Sequence, residues 1–343
     1  MGERRRFAPG ATCANERVLV FCIALLASGS STAALAKTRF TIFDPPGSIA
    51  TLAYGINNGD TIAGTYYDSS NVTHGFVRAP DGTVLSFDPT GSTGTVATNI
   101  NDQDAVIGLY GDSNSVWHGF VRAANGAITT FDPSGSTLTR ANSINRKGWI
   151  TGYYESGDQH AFVRAPDGTI TSFDPHGSID TYAASINDGG VIAGGYEDRA
   201  GQLYCYFRSP DGTITTFDPL GSAYDWAYGI NVNGSITGGY GNHRSHPHGY
   251  LRTTDGVVSA FDPSGSSYTY SAAINDKQSV AGYYYERKDK RAHGFVLAAD
   301  GVITSFDPPG SIGTYAVAIN NSGAIAGYYI DNGGETHGYI LER

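Results

Sequence analysis

Asparagine, histidine and aspartate, side chains that can hold an oxyanion or move a proton, recur along this chain at a fixed interval. Phe-Asp-Pro begins at Phe43, Phe87, Phe131, Phe173, Phe217, Phe261 and Phe306, a spacing of 42 to 45 residues. An Ile-Asn pair follows each copy, its amide at Asn57, Asn101, Asn145, Asn187, Asn231, Asn275 and Asn320. A histidine comes next in six copies, at His74, His118, His160, His248, His293 and His337, and Tyr204 replaces it in the fourth. Catalysis needs one constellation with matched geometry. A polar set repeated this often points to a scaffold, with asparagine satisfying backbone groups at a turn, histidine bonding across a repeat and aspartate accepting backbone N–H groups at a corner.

Positions that depart from the repeat are the better candidates for a site. Nine residues after each Phe of Phe-Asp-Pro stand Leu52, Val96, Arg140, Tyr182, Trp226, Tyr270 and Tyr315. Tyr182, Trp226, Tyr270 and Tyr315 would form a stacking wall for sugar rings or an apolar peptide segment, with Arg140 available for a carboxylate. The competing expectation is that these rings fill volume between repeats. The run His-Arg-Ser-His-Pro-His adds His243 and His246 to the repeated His248, which makes the first two candidate ligands for Zn²⁺ or Cu²⁺. Residues 286–291 read as a solvated charged tip. Cys205 takes a position that is Gly or Ala elsewhere and reads as a buried, unreactive thiol. The chain carries no calcium-loop, Walker-type or nucleophile-elbow motif and no distinct acid pair, so neither a cofactor nor a catalytic residue is expected.

These residues must be positioned by strands. The chain of 343 residues has 46 Gly, 23 Tyr and 15 Phe, a strand-and-turn composition. Asn-Gly and Asp-Gly clusters between apolar runs predict hairpin turns, and Asp-Pro-x-Gly-Ser predicts a wider corner. Each repeat then holds four short strands, the pattern of a β-propeller blade. Seven glycines (Gly64, Gly108, Gly152, Gly194, Gly238, Gly282 and Gly327) mark places where a neighbouring group approaches the second strand closely. The last copy stops at Arg343 after its third strand, while Thr38 to Phe43 supplies a lone fourth strand. The expected fold is therefore all-β, a seven-bladed β-propeller over residues 37–343, closed when the N-terminal strand completes the C-terminal blade.

The repeat resembles the bacterial extracellular repeats named for a His-Ala-Phe triplet. His160-Ala161-Phe162 carries that triplet, and other copies read His-Gly-Phe or His-Gly-Tyr beside an Ile-Asn-x-x-Gly-x-Ile-x-Gly element. The resemblance spans nearly all of residues 37–343 and implies an exported, propeller-like repeat protein. It assigns no catalytic residue.

Residues 1–36 read as an export signal: Arg4, Arg5, Arg6 and Arg17, an apolar run from Val18 to Ala27, and Ala34-Leu35-Ala36 as the cleavage site. The three consecutive arginines loosely fit a twin-arginine signal. The destination is secreted or periplasmic, with no membrane span once the signal is cut after Ala36. Cys205 would then be the only thiol, so no intrachain disulfide could form. A formal net charge of −10 without a basic block argues against nucleic acid as a partner. The expected function is a monomeric, non-enzymatic module that binds an extracellular glycan, cell-wall fragment or peptide at the channel mouth. A polysaccharide-acting lyase or hydrolase and a structural surface or matrix protein are the alternatives.

Overall fold

The computed structural model describes residues 39–241 and 247–342. The expected export signal and the candidate metal ligands His243 and His246 lie outside the described residues.

Runs rich in Ile, Val, Thr, Tyr and Phe form 28 β-strands, and no helix occurs among the described residues. Tight turns separate them. Gly82, for example, takes φ +92° and closes its turn by donating its N–H to the Ala79 carbonyl, a conformation that a Cβ would strain.

Strands Ser48–Ile56, Ile62–Asp68, Thr73–Arg78 and Val84–Phe87 pair antiparallel in chain order. Five more four-strand meanders follow, the last ending with Ile303–Phe306. Three further strands, Ser311–Ile319, Ile325–Asp331 and Thr336–Glu342, continue the pattern. Their fourth member is Arg39–Phe43, which pairs antiparallel with Thr336–Glu342 and sets Phe43 opposite Gly338. Single parallel bridges, Ala50 with Thr336 and Leu138 with Trp117, join some meanders into larger sheets, giving two sheets of eight strands and three of four. The first strand of each meander packs against the first strands of the meanders before and after it, and Ser48–Ile56 packs against Ser311–Ile319.

The core lies between meanders. The Phe of each Phe-Asp-Pro meets an aromatic ring from the third strand of the next meander. Phe87 and Phe120 lie 5.8 Å apart edge to face, Phe131 and Phe162 5.9 Å, and Phe217 and Tyr250 6.3 Å. Such pairs contribute about 0.5–1.5 kcal/mol beyond the area they bury. Phe120, Phe162 and Tyr250 are fully buried, as is Cys205, whose thiol burial pushes well above its usual range. The cysteine is thus part of the packing. No helix of the described residues is long and apolar enough to cross a membrane.

Candidate functional site

The first strands of the meanders surround a cavity of about 480 Å³. Two features of each strand aim side chains into it. A β-bulge interrupts the pairing with the second strand at the same place in every meander, for example between Ala141 and Ser143 and between Ala227 and Gly229. Bulges re-aim side chains, and here the bulged residues Tyr54, Thr98, Asn142, Ala184, Tyr228, Ala272 and Val317 all line the cavity. The second feature is the repeated glycine of the second strand. A Cβ on Gly152 would sit 1.9 Å from the Arg140 carbonyl oxygen, and one on Gly238 would sit 1.8 Å from that of Trp226. The close approach expected at these glycines is therefore made by the backbone of the cavity-lining strand itself. Glycine lets that strand settle onto its neighbour and fixes the height of the side chain above it.

Of the residues singled out nine places after Phe-Asp-Pro, Arg140, Tyr182, Trp226 and Tyr270 line the cavity together. Tyr315 does not. Its ring stacks on Tyr328 at 4.8 Å and meets Tyr283 edge to face at 5.0 Å, so it packs within the wall. Leu52 and Val96 are likewise absent from the lining. Two aromatic arrays support the wall. One runs Tyr153–Tyr182–Trp226–Tyr224, and the other runs Tyr228–Tyr270–Tyr283–Tyr315–Tyr328–Tyr54, with successive centroids 4.4 to 6.5 Å apart. Burial pushes the Tyr182, Tyr270 and Tyr315 hydroxyls up to about 12 and those of Tyr228, Tyr283 and Tyr328 further still. These phenols stay neutral at physiological pH. They can donate hydrogen bonds and stack, but they cannot act as bases.

Arg140 is held by its own strand. Its Nε donates to Asn142 Oδ1 at 3.0 Å, and Asn142 Nδ2 donates to the Ala183 carbonyl of the next meander at 2.9 Å. Among the described residues no carboxylate forms an ion pair with Arg140, and neither a carboxylate nor an imidazole lines the cavity. The site can therefore stack rings, donate hydrogen bonds and receive negative charge, and it offers no pair of groups for proton transfer.

A smaller cavity of about 170 Å³ lies at the other ends of the same strands, and Ile56, Ile230, Ile274 and Ile319 line both cavities. Here the repeated asparagines do what the sequence led us to expect, and more. Asn145 Oδ1 accepts the N–H groups of Lys147 and Trp149 at its own turn, each at 3.0 Å. Its Nδ2 donates to the Asn187 carbonyl in the next meander. The series runs Asn57, Asn101, Asn145, Asn187, Asn231, Asn275 and Asn320, and Asn320 donates back to the Asn57 carbonyl at 3.0 Å.

Each repeated histidine places Nδ1 2.6–2.8 Å from the aspartate of the following Phe-Asp-Pro, and His337 uses Asp44 in this way. At Asp44, Asp88, Asp262 and Asp307 the other carboxylate oxygen accepts a threonine hydroxyl, from Thr51, Thr95, Thr269 and Thr314. The carboxylate stands between imidazole and hydroxyl, whereas a nucleophile would need the imidazole in the middle. At His74, His118 and His337 burial disfavours the charged ring, but the flanking carboxylates outweigh it and raise the pKa.

Among the described residues the expected backbone contacts to the corner aspartate occur at one corner. Asp218 Oδ1 accepts the N–H groups of Leu220, Gly221 and Ser222. Both usual side-chain donors are replaced there. Tyr204 stands for the histidine and reaches Asp198 instead, at 3.5 Å, and Asp225 stands for the threonine. Asp225 is fully buried and bonded by the Ser222 hydroxyl. Its burial, countered by that bond and reinforced by neighbouring Asp218, pushes its carboxyl up to about 7.

No family model matches the chain, and no curated protein matches its sequence. Solved structures resemble it in shape. A virginiamycin B lyase from Staphylococcus aureus superposes with a TM-score of 0.59 at 10% identity, covering 90% of this chain and 100% of that one. A streptogramin B lyase gives 0.58 at 12% identity over 89% of this chain and 98% of that one. A lectin from Burkholderia pseudomallei gives 0.57 at 9% identity, covering 86% and 96%. At such identities the likeness speaks for the fold alone, and the fold is all-β and β-propeller-like.

Proposed function

We propose that this chain is an exported, closed seven-bladed β-propeller that binds an extracellular glycan, cell-wall fragment or extended peptide in its aromatic cavity. One observation carries the reading. Where the repeat is constant its polar groups bond to one another, and where it varies Arg140, Tyr182, Trp226, Tyr270, Tyr54 and Tyr228 meet at one cavity. Seven blades and ring closure are supported by the asparagine series returning to Asn57 and by the pairing of Arg39–Phe43 with Thr336–Glu342. Membership of the His-Ala-Phe repeat family rests on the motifs, and export rests on residues 1–36.

The fold does not choose between binding and cleavage, since both lyases and a lectin have this shape. The lining favours binding, because it offers stacking and hydrogen-bond donors without an acid–base pair. The test is a screen of residues 37–343 against a glycan array and fractionated cell walls, with tryptophan fluorescence recorded on Trp226→Ala alongside the unaltered chain. Saturable binding to one polymer class, weakened in the folded variant, is expected. Binding that the variant leaves unchanged would remove the cavity from the reading, and release of product would replace binding with cleavage.

A further inference from the structure

Arg140 makes the cavity more than an aromatic pocket. A guanidinium enclosed among rings and neutral polar groups is costly unless an anion or water compensates it. Among the described residues no carboxylate does so. Nε is taken by Asn142, a neutral amide that leaves the full positive charge in place, and the Asn142–Ala183 bond holds that amide still. The charge is felt at Tyr54 and Tyr270, which line the cavity, and at Tyr153, the cross-strand neighbour that also shares a hydrogen bond with Arg140; at each it favours the phenolate against the larger effect of burial. Arg146, six residues on and at the opposite cavity, is treated differently. Its Nη2 lies 2.8 Å from Asp102 Oδ2 and its Nε 3.7 Å from Asp188 Oδ2. Of the two arginines that line these cavities, Arg146 is neutralised by carboxylates, whereas Arg140 faces tyrosine and tryptophan rings with no carboxylate among the lining residues.

Resting on the binding reading above, we infer that the ligand is an acidic glycan, bound through a uronate ring whose carboxylate meets Arg140. The guanidinium is suited to bidentate contact with a planar carboxylate. Trp226 and Tyr182, whose rings meet edge to face at 5.1 Å, both line the cavity with Arg140 and supply aromatic surface for a sugar ring. Asn99 and Ser185 supply the amide and hydroxyl groups that ring hydroxyls require. About 480 Å³ is within the range of small-molecule sites and confines recognition to a short stretch of polymer.

The experiment compares galacturonate and mannuronate trimers with their methyl esters, which keep the rings and remove the charge, alongside a panel of neutral oligosaccharides. Titrations are followed by calorimetry on the unaltered chain, Arg140→Lys, Arg140→Gln and Trp226→Ala, with tryptophan fluorescence added for the three that keep Trp226, each checked for an unchanged thermal midpoint. At least one acid trimer is expected to bind ten-fold or more tightly than its ester, with the preference shrinking in high salt. Arg140→Gln should abolish that preference, Arg140→Lys should keep part of it, and Trp226→Ala should weaken acid and ester alike. Equal binding of acid and ester, or binding confined to neutral sugars, would overturn the charge inference and leave the cavity reading standing. No binding of any probe, acid or neutral, would overturn both.

Discussion

Arg140 and Arg146 belong to one strand and the turn that follows it, yet they lie in opposite regions of the molecule. Arg146 sits among Asn58, Asp102 and Asp188 at the narrow polar cavity, where each group has a partner in the neighbouring meander. Arg140 sits among rings at the wider cavity, held by the Asn142 amide of its own strand and by Tyr153. Both arginines stand at positions that vary between repeats, but Arg146 pairs with Asp102 and Asp188, which hold the same position in the neighbouring repeats, beside the asparagines that every repeat shares. Arg140 has no carboxylate partner among the described residues, which leaves its charge available to something outside the fold.

The sharpest way to break this division is to remove a shared asparagine. Asn145→Ala leaves two turn N–H groups and the Asn187 carbonyl without their partner. At about 1–3 kcal/mol for each buried group left unsatisfied, we expect a loss of roughly 3 kcal/mol or more in a denaturant melt. Ligand affinity of the fraction that remains folded should not change. A variant as stable as the parent would show that the asparagine series is not what ties the meanders together.

Next in size is the aberrant corner. Asp225 holds its proton in the folded chain while the unfolded chain releases it near the ordinary carboxylate value, so the folded state binds more protons over that window. Stability should therefore fall as pH rises from about 4 to about 7 and level off above, by a few kcal/mol at most. Asp218, Ser222, Cys205 and Tyr250 are the groups that face it. Asp225→Asn should flatten that slope. The repeated histidines act in the same direction at higher pH, since a raised pKa at His74, His118 and His337 gives stability that is lost as they deprotonate. A slope between pH 4 and 7 unchanged by Asp225→Asn would show that this carboxyl does not keep its proton in the folded chain.

The smallest effects compare two rings that occupy equivalent places in their repeats. Trp226→Ala should cost about 1 kcal/mol or more of ligand affinity, because the ring lines the cavity. Tyr315→Phe should change affinity by less than about 0.5 kcal/mol, because its ring lies against Tyr328 and Tyr283. Equal losses in titrations of the two variants would erase the distinction between lining and packing.

Much of this could be read from residue order alone. Strand pairing, the corner motif and four of the five proposed contact residues follow from counting within the repeat. What escaped was the bulge. Two residues opposing one cannot be seen in a single strand's pattern, so Tyr54, Asn142 and Tyr228 went unnoticed although they vary from copy to copy just as Arg140 does. Tyr315 misled for a related reason, since position along a strand does not determine which neighbour a long side chain turns toward. The Asp225 corner was legible and overlooked. Eight residues after Phe, six copies have Thr, and the exception coincides with the one missing histidine.

The pairing of Arg39–Phe43 with Thr336–Glu342 has a consequence for the order in which the molecule comes into being. Every other meander is assembled from neighbouring sequence and can form while the rest of the chain is still being made. The final one brings together Asp44 and His337, separated by 293 residues, and it cannot exist before the last strand does. Contacts between distant parts of a chain form late and slowly. Until that moment the first and last strands are open edges able to recruit another copy, so concentration during folding, rather than intrinsic stability, sets the yield of the native form.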